Sequence, residues 1–301
     1  MVRELPSEPG VYRFRDDEGA VLYVGRAAQL RNRVTSYFSG LRDRRHLKRM
    51  MAAVADIEVV LCGSRHEAAW LERNILEAWL PPWNRTAGGQ EVPVVITLDG
   101  RRPSPGMRLR HLPCESHEGV RIFGPYLGGL QVRRAVAGLN RIFPLAYAGA
   151  RLTGAERAMA DEHGVSERDR NLLAEKLAAV LERDSDAVSR TRAELEDRRQ
   201  RAVAAEAFEL AGRIHTELRG LEWITSLQRV TTLNGENANV SGWSDGVLVT
   251  FTVRSGRLSD WTSSHCDFTT AAPHLAATPA AWIEFARRNA DLAAVLDRSR
   301  P

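Results

Sequence analysis

The stretch "EPGVYRFRDDEGAVLYVGRAAQLRNR", beginning at Glu8, constrains the fold of this chain more than any other. Runs rich in Val, Tyr and Phe flank "DDEG", the pattern of two antiparallel strands joined by a tight turn. With Asp17 and Glu18 as the loop, cross-strand partners sum to 35. Tyr12 then faces Tyr23, Phe14 faces Val21, and both phenol hydroxyls project from one face of the hairpin. A helix over about Ala27 to Phe38 follows and carries Arg31 and Arg33, with Arg26 just before it. Two readings stay open at this point: a cross-strand aromatic pair in an apolar face, or two hydroxyls placed beside fixed positive charge for chemistry.

"RDRRHLKRMMAAVA" predicts a second helix and "IEVVLC" a third strand. Ser64 and Glu67 have the spacing of a capping box, which opens the helix "RHEAAWLERNILEAWL" before Pro81 and Pro82 end it. On that helix Glu72 shares a face with Ala68, Ile75, Leu76 and Trp79, so a carboxylate stands where an apolar side chain belongs. Such a group needs a partner. An internal salt bridge to an arginine would serve, and so would a hard divalent cation held where the hairpin tyrosines and the neighbouring arginines share the site.

The rest of the chain reads as an α+β, modular protein in four segments. Residues 1–90 form the tyrosine-bearing module. Residues 91–150 hold short β-like runs, the loop "DGRRPSPG", the phrase "IFGPYLGG" and a helix ending at "NRIFP". Residues 151–227 are almost continuously helix-forming, with a break at "HGVSERD" and an apolar stripe at Ala207, Leu210, Ala211, Ile214, Leu218 and Leu221 that suggests a helical hairpin. Residues 228–301 predict a small antiparallel sheet and a last helix from about Pro279 to Leu296.

Charge is uneven along this order. Residues 1–150 hold 22 basic against 15 acidic residues, a net +7, and residues 151–301 hold 20 against 23, a net −3, so the electropositive half is the one with the tyrosines. The basic run Arg42, Arg44, Arg45, Lys48 and Arg49 adjoins the hairpin and reads either as a solvated helix face or as a contact to a phosphate backbone. No apolar run is long enough to span a membrane and the N-terminus lacks the apolar core of a secretion signal, which points to a cytoplasmic protein. Three scattered cysteines fit a reducing compartment. His111, Cys114 and His117 have spacings compatible with zinc but fall short of four ligands, so the segment reads as a surface loop.

Taken together, "GVY", "YVG", Arg33, Glu72 and Asn84 in that order resemble the GIY-YIG nuclease module. The phrases "PGVYRF", "LYVGRA", "LRNRVTSYF", "EAAWLERNIL", "PPWN", "FGPY" and "NRIFPL" resemble its UvrC subgroup, which makes incisions in bacterial nucleotide excision repair. The resemblance implies roles for individual residues. Tyr23 would be the general base or the hydroxyl that relays a proton from attacking water, and Tyr12 would order water and phosphate. Nearby Arg26 and Arg33 would favour the ionised phenol, and both would stabilise charge on the phosphate. Glu72 would hold one Mg²⁺ or Mn²⁺, and Asn84 would fix the geometry by side-chain hydrogen bonds.

Departures from the family pattern set limits. "GGQEVP" replaces a basic, polar run after Asn84, and Arg151 to Asp169 lacks the cysteine cluster of an iron–sulfur centre, so no such cluster is expected. The helix around Phe208 resembles the UVR motif that docks on UvrB, through Phe208, Ala211, Ile214 and Leu218, although packing within the chain would use the same residues. Residues 228–301 resemble the opening of the family's RNase H-like domain and are too few to supply its catalytic aspartates. The implied function is a metal-dependent endonuclease nicking one strand of damaged DNA, on the 3′ side. The alternatives are a non-catalytic adaptor for damaged DNA or a repair partner, and a nuclease acting on branched DNA or RNA.

Overall fold

The computed structural model describes residues 2–38, 45–88, 91–101, 104–114, 117–233 and 235–299. β1 (Gly10–Arg15) and β2 (Val21–Ala27) pair antiparallel, and β3 (Asp56–Leu61) adds to the other edge of β1, giving the order β2–β1–β3. The register differs from that expected: Tyr12 lies opposite Gly25, and Phe14 opposite Tyr23 instead of Val21. The turn is longer than Asp17–Glu18. Asp16 closes it, its carbonyl accepting from the Gly19 amide at 3.1 Å and its carboxylate from the Ala20 amide at 2.7 Å, while Gly19 takes a φ of +81° that suits a residue without Cβ. The slip is two residues, and the pleat also repeats every two, so Tyr12, Phe14 and Tyr23 stay on one face.

α1 (Leu30–Phe38) starts three residues later than expected because β2 runs on to Ala27. α2 (Arg45–Ala53) buries Leu47 and Met50. α3 (Arg65–Ala78) is capped by the Ser64 hydroxyl, which accepts from the Glu67 amide at 2.9 Å. The expected capping box is only half formed, since the Glu67 carboxylate accepts from the Gly63 amide at 2.5 Å instead of the Ser64 amide.

Residues 91–226 form one of two contact units. Its sheet has the order β5–β4–β6, from β4 (Val94–Asp99), β5 (Gly106–His111) and β6 (Val120–Tyr126), all antiparallel. Five helices follow: α4 (Gly129–Ile142), α5 (Gly154–His163), α6 (Arg170–Leu181), α7 (Ser185–Ala204) and α8 (Phe208–Thr225). Ile96, Leu98, Val132, Leu139, Leu177, Leu195, Ile214 and Leu221 make its core. The α7–α8 hairpin packs α8 against α4 closely enough that a Cβ on Gly220 would sit 2.5 Å from the Ala135 amide nitrogen. The buried stripe of α8 is Ala211, Ile214, Glu217, Gly220, Leu221 and Ile224, rotated from the expected one; Leu210 is exposed. Glu217 is tolerated inside because Arg141 meets it with two hydrogen bonds of 2.7 Å.

The other unit joins residues 1–90 to residues 227–301, so the first and last segments of the chain associate while the two middle ones form the contiguous unit. β7 (Ala238–Ser244), β8 (Val247–Arg254) and β9 (Arg257–His265) form an antiparallel sheet in that order, followed by α9 (Phe268–Ala276) and α10 (Ala280–Arg298). α10 lies on β7 so tightly that a Cβ on Gly242 would meet the Ala286 carbonyl oxygen at 2.1 Å. Asp260 lies within β9. It reaches back to β1: Arg13, 1% exposed, donates to Asp260 at 2.9 Å and to the Trp261 carbonyl at 2.6 Å. Arg13 also pairs with Glu58 and lies 3.9 Å from the Trp261 ring centroid. None of the described helices is long and apolar enough to cross a membrane.

Replacing Arg13 by alanine takes the donor from the Trp261 carbonyl and leaves Glu58 with Arg15, 3.0 Å away, as its cationic partner. Loss of one partner of a buried ion pair costs about 3–5 kcal/mol, and the half-exposed Asp260 puts the effect toward the lower figure. A urea titration followed by tryptophan fluorescence should show the lowered midpoint, and an unchanged midpoint would remove Arg13 from the stability of this unit.

Candidate active site

The site grows from one face of the β1–β2 hairpin. Tyr12 and Phe14 on β1 and Tyr23 on β2 project from it. α1 lays Leu30, Val34 and Tyr37 over the same face, all three buried. Tyr12 and Tyr23 are diagonal neighbours with ring centroids 6.2 Å apart. Gly25 makes room for the Tyr12 ring: a Cβ there would come within 2.4 Å of the Tyr12 hydroxyl oxygen. The glycine of "YVG" therefore answers a packing demand made by the tyrosine of "GVY".

The Tyr12 hydroxyl is 2.8 Å from the Tyr37 hydroxyl, and Arg33 Nε donates to Tyr12 at 3.3 Å. The Arg33 guanidinium also lies 5.1 Å from the Tyr37 ring centroid. Sequence reasoning missed Tyr37. Its position, seven residues after Leu30 and three after Val34, reads as one more member of a buried stripe, and only the hydroxyl contact distinguishes it.

Burial pushes the Tyr12 phenol well above its ordinary value, with Tyr37 and Tyr23 adding to the effect and Arg33 opposing it. Tyr23 is also raised, by burial first, then by Tyr37, to which it is hydrogen-bonded, and by Glu72; Arg33 pulls the other way. This is opposite to the direction expected from arginine neighbours alone, because desolvation of the phenolate outweighs one guanidinium. Burial works against the Arg33 charge, but the Tyr12, Tyr37 and Tyr23 hydroxyls outweigh it and leave Arg33 raised.

Arg26 and Glu72 meet across β2 and α3, with Nε 3.2 Å from Oε2 and both side chains partly exposed. Asn84 follows α3 and turns its amide onto the backbone of β2: its oxygen accepts from the Val24 amide at 2.9 Å and its nitrogen donates to the Val24 carbonyl at 2.8 Å. The Trp83 amide adds a bond of 3.1 Å to the Leu22 carbonyl. Val24 follows Tyr23, so Asn84 fixes the strand at the residue next to a candidate catalytic phenol. Tyr12, Tyr23, Arg26, Arg33, Glu72 and Asn84 thus all belong to one unit.

The other candidates are distributed differently. Arg42 and Arg44 lie outside the described residues, as does the side chain of Arg45. Lys48 and Arg49 are exposed on α2. Of the residues expected to meet UvrB, Phe208 is 67% exposed, whereas Ala211 and Ile214 are buried and Leu218 packs against the core of residues 91–226. That corrects the docking expectation for Ala211, Ile214 and Leu218: packing against α4 and α7 has already taken the face they occupy.

Residues 8–85 match the UvrC-like GIY-YIG domain model. The chain is 30% identical over 275 residues to the UvrABC system protein C of Anaeromyxobacter sp. (strain Fw109-5), an alignment spanning 85% of this chain and 38% of the relative. It is 31% identical over 275 residues to that of Mycolicibacterium paratuberculosis (strain ATCC BAA-968 / K-10), spanning 84% and 41%. The chain therefore spans about two fifths of the length of these relatives. Among solved structures, the GIY-YIG N-terminal endonuclease domain of UvrC from Thermotoga maritima, bound to its catalytic divalent cation magnesium, is 30% identical with a TM-score of 0.26, covering 28% of this chain and 96% of that one. Residues 8–85 of this chain are a UvrC-like GIY-YIG domain.

Proposed function

We propose that this chain is a divalent-metal-dependent endonuclease that nicks one strand of damaged duplex DNA on the 3′ side of the lesion. The observation that carries this reading is the convergence of Tyr12, Tyr23, Arg33, the Arg26–Glu72 pair and Asn84 within the matched domain. The donor set suits a magnesium-like ion: one partly exposed carboxylate, Glu72, is the kind of single anchor such an ion takes while keeping water and phosphate as its other ligands. When bound, the ion would stabilise the negative charge that builds on the scissile phosphate and its leaving oxygen.

The protein's own groups supply the rest. Tyr23 takes the proton of the attacking water, either as phenolate or by passing it on from a neutral hydroxyl. Tyr12, held by Tyr37 and Arg33, orders water and phosphate, and Arg33 and Arg26 offset the charge on the pentavalent phosphate. Asn84 keeps β2, and with it Tyr23, in place.

A single cut is favoured by the state of the acids after Asn237. Asp260 is bound to Arg13, Asp267 caps α9, Asp297 meets His265, and Asp245 meets Arg298. Among the described residues no three His, Cys, Asp or Glu side chains converge on a metal position. Incision of a labelled duplex with one defined lesion should therefore give one nick, on the 3′ side. Glu72→Gln should abolish it while DNA binding persists. Two cuts around one lesion, or nicking by the mutant equal to that of the parent, would overturn this assignment.

Tyr23→Phe should slow nicking by about 10²-fold, the usual worth of an acid–base group. If the phenolate is the base, its raised value means that the active form grows with each step toward alkaline pH, so the rate should climb from pH 7 to 9 without levelling. A plateau below pH 9 would take the base role from Tyr23. Lys48 and Arg49 stand exposed on α2, and their joint replacement by alanine should reduce the salt slope of DNA affinity by about 2 if both touch phosphates. An identical slope would return them to the solvated surface.

A further inference from the structure

We infer that residues 227–301 are the positioning scaffold of the nuclease site, and that Asn74 is the positioning residue through which they set Glu72. This rests on the reading of Glu72 as the metal ligand. Asn74 sits two residues beyond Glu72 on α3, about 200° around the helix, so the two side chains leave on opposite sides. It is 2% exposed. Its amide nitrogen lies 3.0 Å from both the Val230 and the Leu258 carbonyl oxygens, and its amide oxygen accepts from the Thr231 hydroxyl at 3.2 Å. All three partners belong to the C-terminal segment.

The receiving loop is itself braced. Gln228 exchanges two hydrogen bonds of 2.9 Å with the Thr231 backbone, and the Leu258 amide donates to the Val230 carbonyl at 2.9 Å, which ties the loop to β9. Two turns earlier on the same face, at seven residues' spacing, the fully buried Glu67 accepts from the Arg229 amide at 2.9 Å. α3 is thus gripped at two points two turns apart by one short loop, which fixes both its rotation and its position along its axis. An apolar contact would permit the helix to slide; directed bonds to a buried amide do not. β1 is held in the same manner, since Arg13 binds Asp260 and the Trp261 carbonyl from the residue next to Tyr12. The two elements that carry Glu72 and Tyr12 are both referenced to β9 and to the loop before β7.

Full-length Asn74→Ala, Thr231→Val and Val240→Ala test this by Mn²⁺ titration in calorimetry without DNA, and by steady-state nicking. Val240 is buried on β7, at the far edge of the same sheet, and serves as a destabilised control outside the anchor. Displacing a group that orients a ligand typically weakens metal affinity or turnover 10–100-fold. Asn74→Ala should accordingly weaken Mn²⁺ binding about tenfold or more and lower kcat, leaving KM for DNA unchanged. Thr231→Val, which removes the hydroxyl's two contacts with the Asn74 amide at 2.9 and 3.2 Å, should do the same by a factor of about 2–10, and it decides the matter if Asn74→Ala does not fold. Val240→Ala should lower the urea midpoint with Mn²⁺ affinity intact. A folded Asn74→Ala, or failing that Thr231→Val, that binds Mn²⁺ like the parent would overturn the proposal, as would an equal loss in Val240→Ala. A parent chain that binds no Mn²⁺ would instead sink the assignment of Glu72, and the scaffold proposal with it, before any variant is compared.

Discussion

A guanidinium with 1% of its surface exposed has to be answered on every side, and Arg13 makes that demand at the centre of β1. Burial lowers its hold on the proton below that of an ordinary arginine; Glu58 opposes this, Arg15 adds to it and Asp260 opposes it, and the net shift stays downward. Glu58 comes from the adjacent strand β3, but Asp260 and the Trp261 carbonyl come from β9, nearly 250 residues along the chain. The hairpin therefore has two committed faces. Tyr12 and Phe14 point toward α1, while Val11 and Arg13 point the other way. With both faces occupied, the register of β1 has no freedom left, and the positions of the tyrosines follow from it.

The same economy of position explains why two asparagines matter beside a site made of tyrosines, arginines and a glutamate. Asn84 acts on β2 from the site side, matching the backbone donor and acceptor of one residue, Val24, with its amide. Asn74 acts on α3 from the hidden side. Asn289 does the equivalent for β3, its oxygen accepting from the Leu61 amide at 2.7 Å. Three side chains of one type thus fix three different elements, each by satisfying backbone groups that a sheet edge or a loop would leave unpaired.

How much of this could be read from sequence depended on the range of the interaction. The hairpin, α3 and its Ser64 cap, the apolar helix face interrupted by Glu72, and the three-stranded C-terminal sheet are all local patterns, and each is visible in fewer than thirty residues. The hairpin register was misjudged by two because the turn length depends on Asp16 and Gly19 acting together, yet the faces survived because the error equalled the strand period. Arg13 could not be interpreted at all from its surroundings: alternating with Tyr12 and Phe14 and sharing a face with Arg15, it looks like a solvent-facing position, and its partners Asp260 and Trp261 are remote. The stripe on α8 was rotated for a related reason. Gly220 and Glu217 count as non-apolar in any pattern, but a close helix crossing and Arg141 make them interior residues.

The tyrosine cluster carries the last consequence of burial. Tyr12, Tyr23 and Tyr37 share a space closed by Phe14 and one edge of Arg33, with ring centroids between 5.2 and 6.4 Å apart. Ionising one phenol there places a negative charge among hydroxyls already engaged with one another, and only Arg33 offers direct compensation. A single guanidinium can stabilise one phenolate but cannot serve two, so the cluster supports at most one ionised member at a time. Tyr12 is the more deeply enclosed, whereas Tyr23 is only partly buried and lies toward Glu72 and Arg26. The gradient in desolvation across 6.2 Å therefore separates two chemically identical side chains. Burial holds Tyr12 the more firmly as a neutral hydrogen-bonding group, and Tyr23 is the less enclosed of the two.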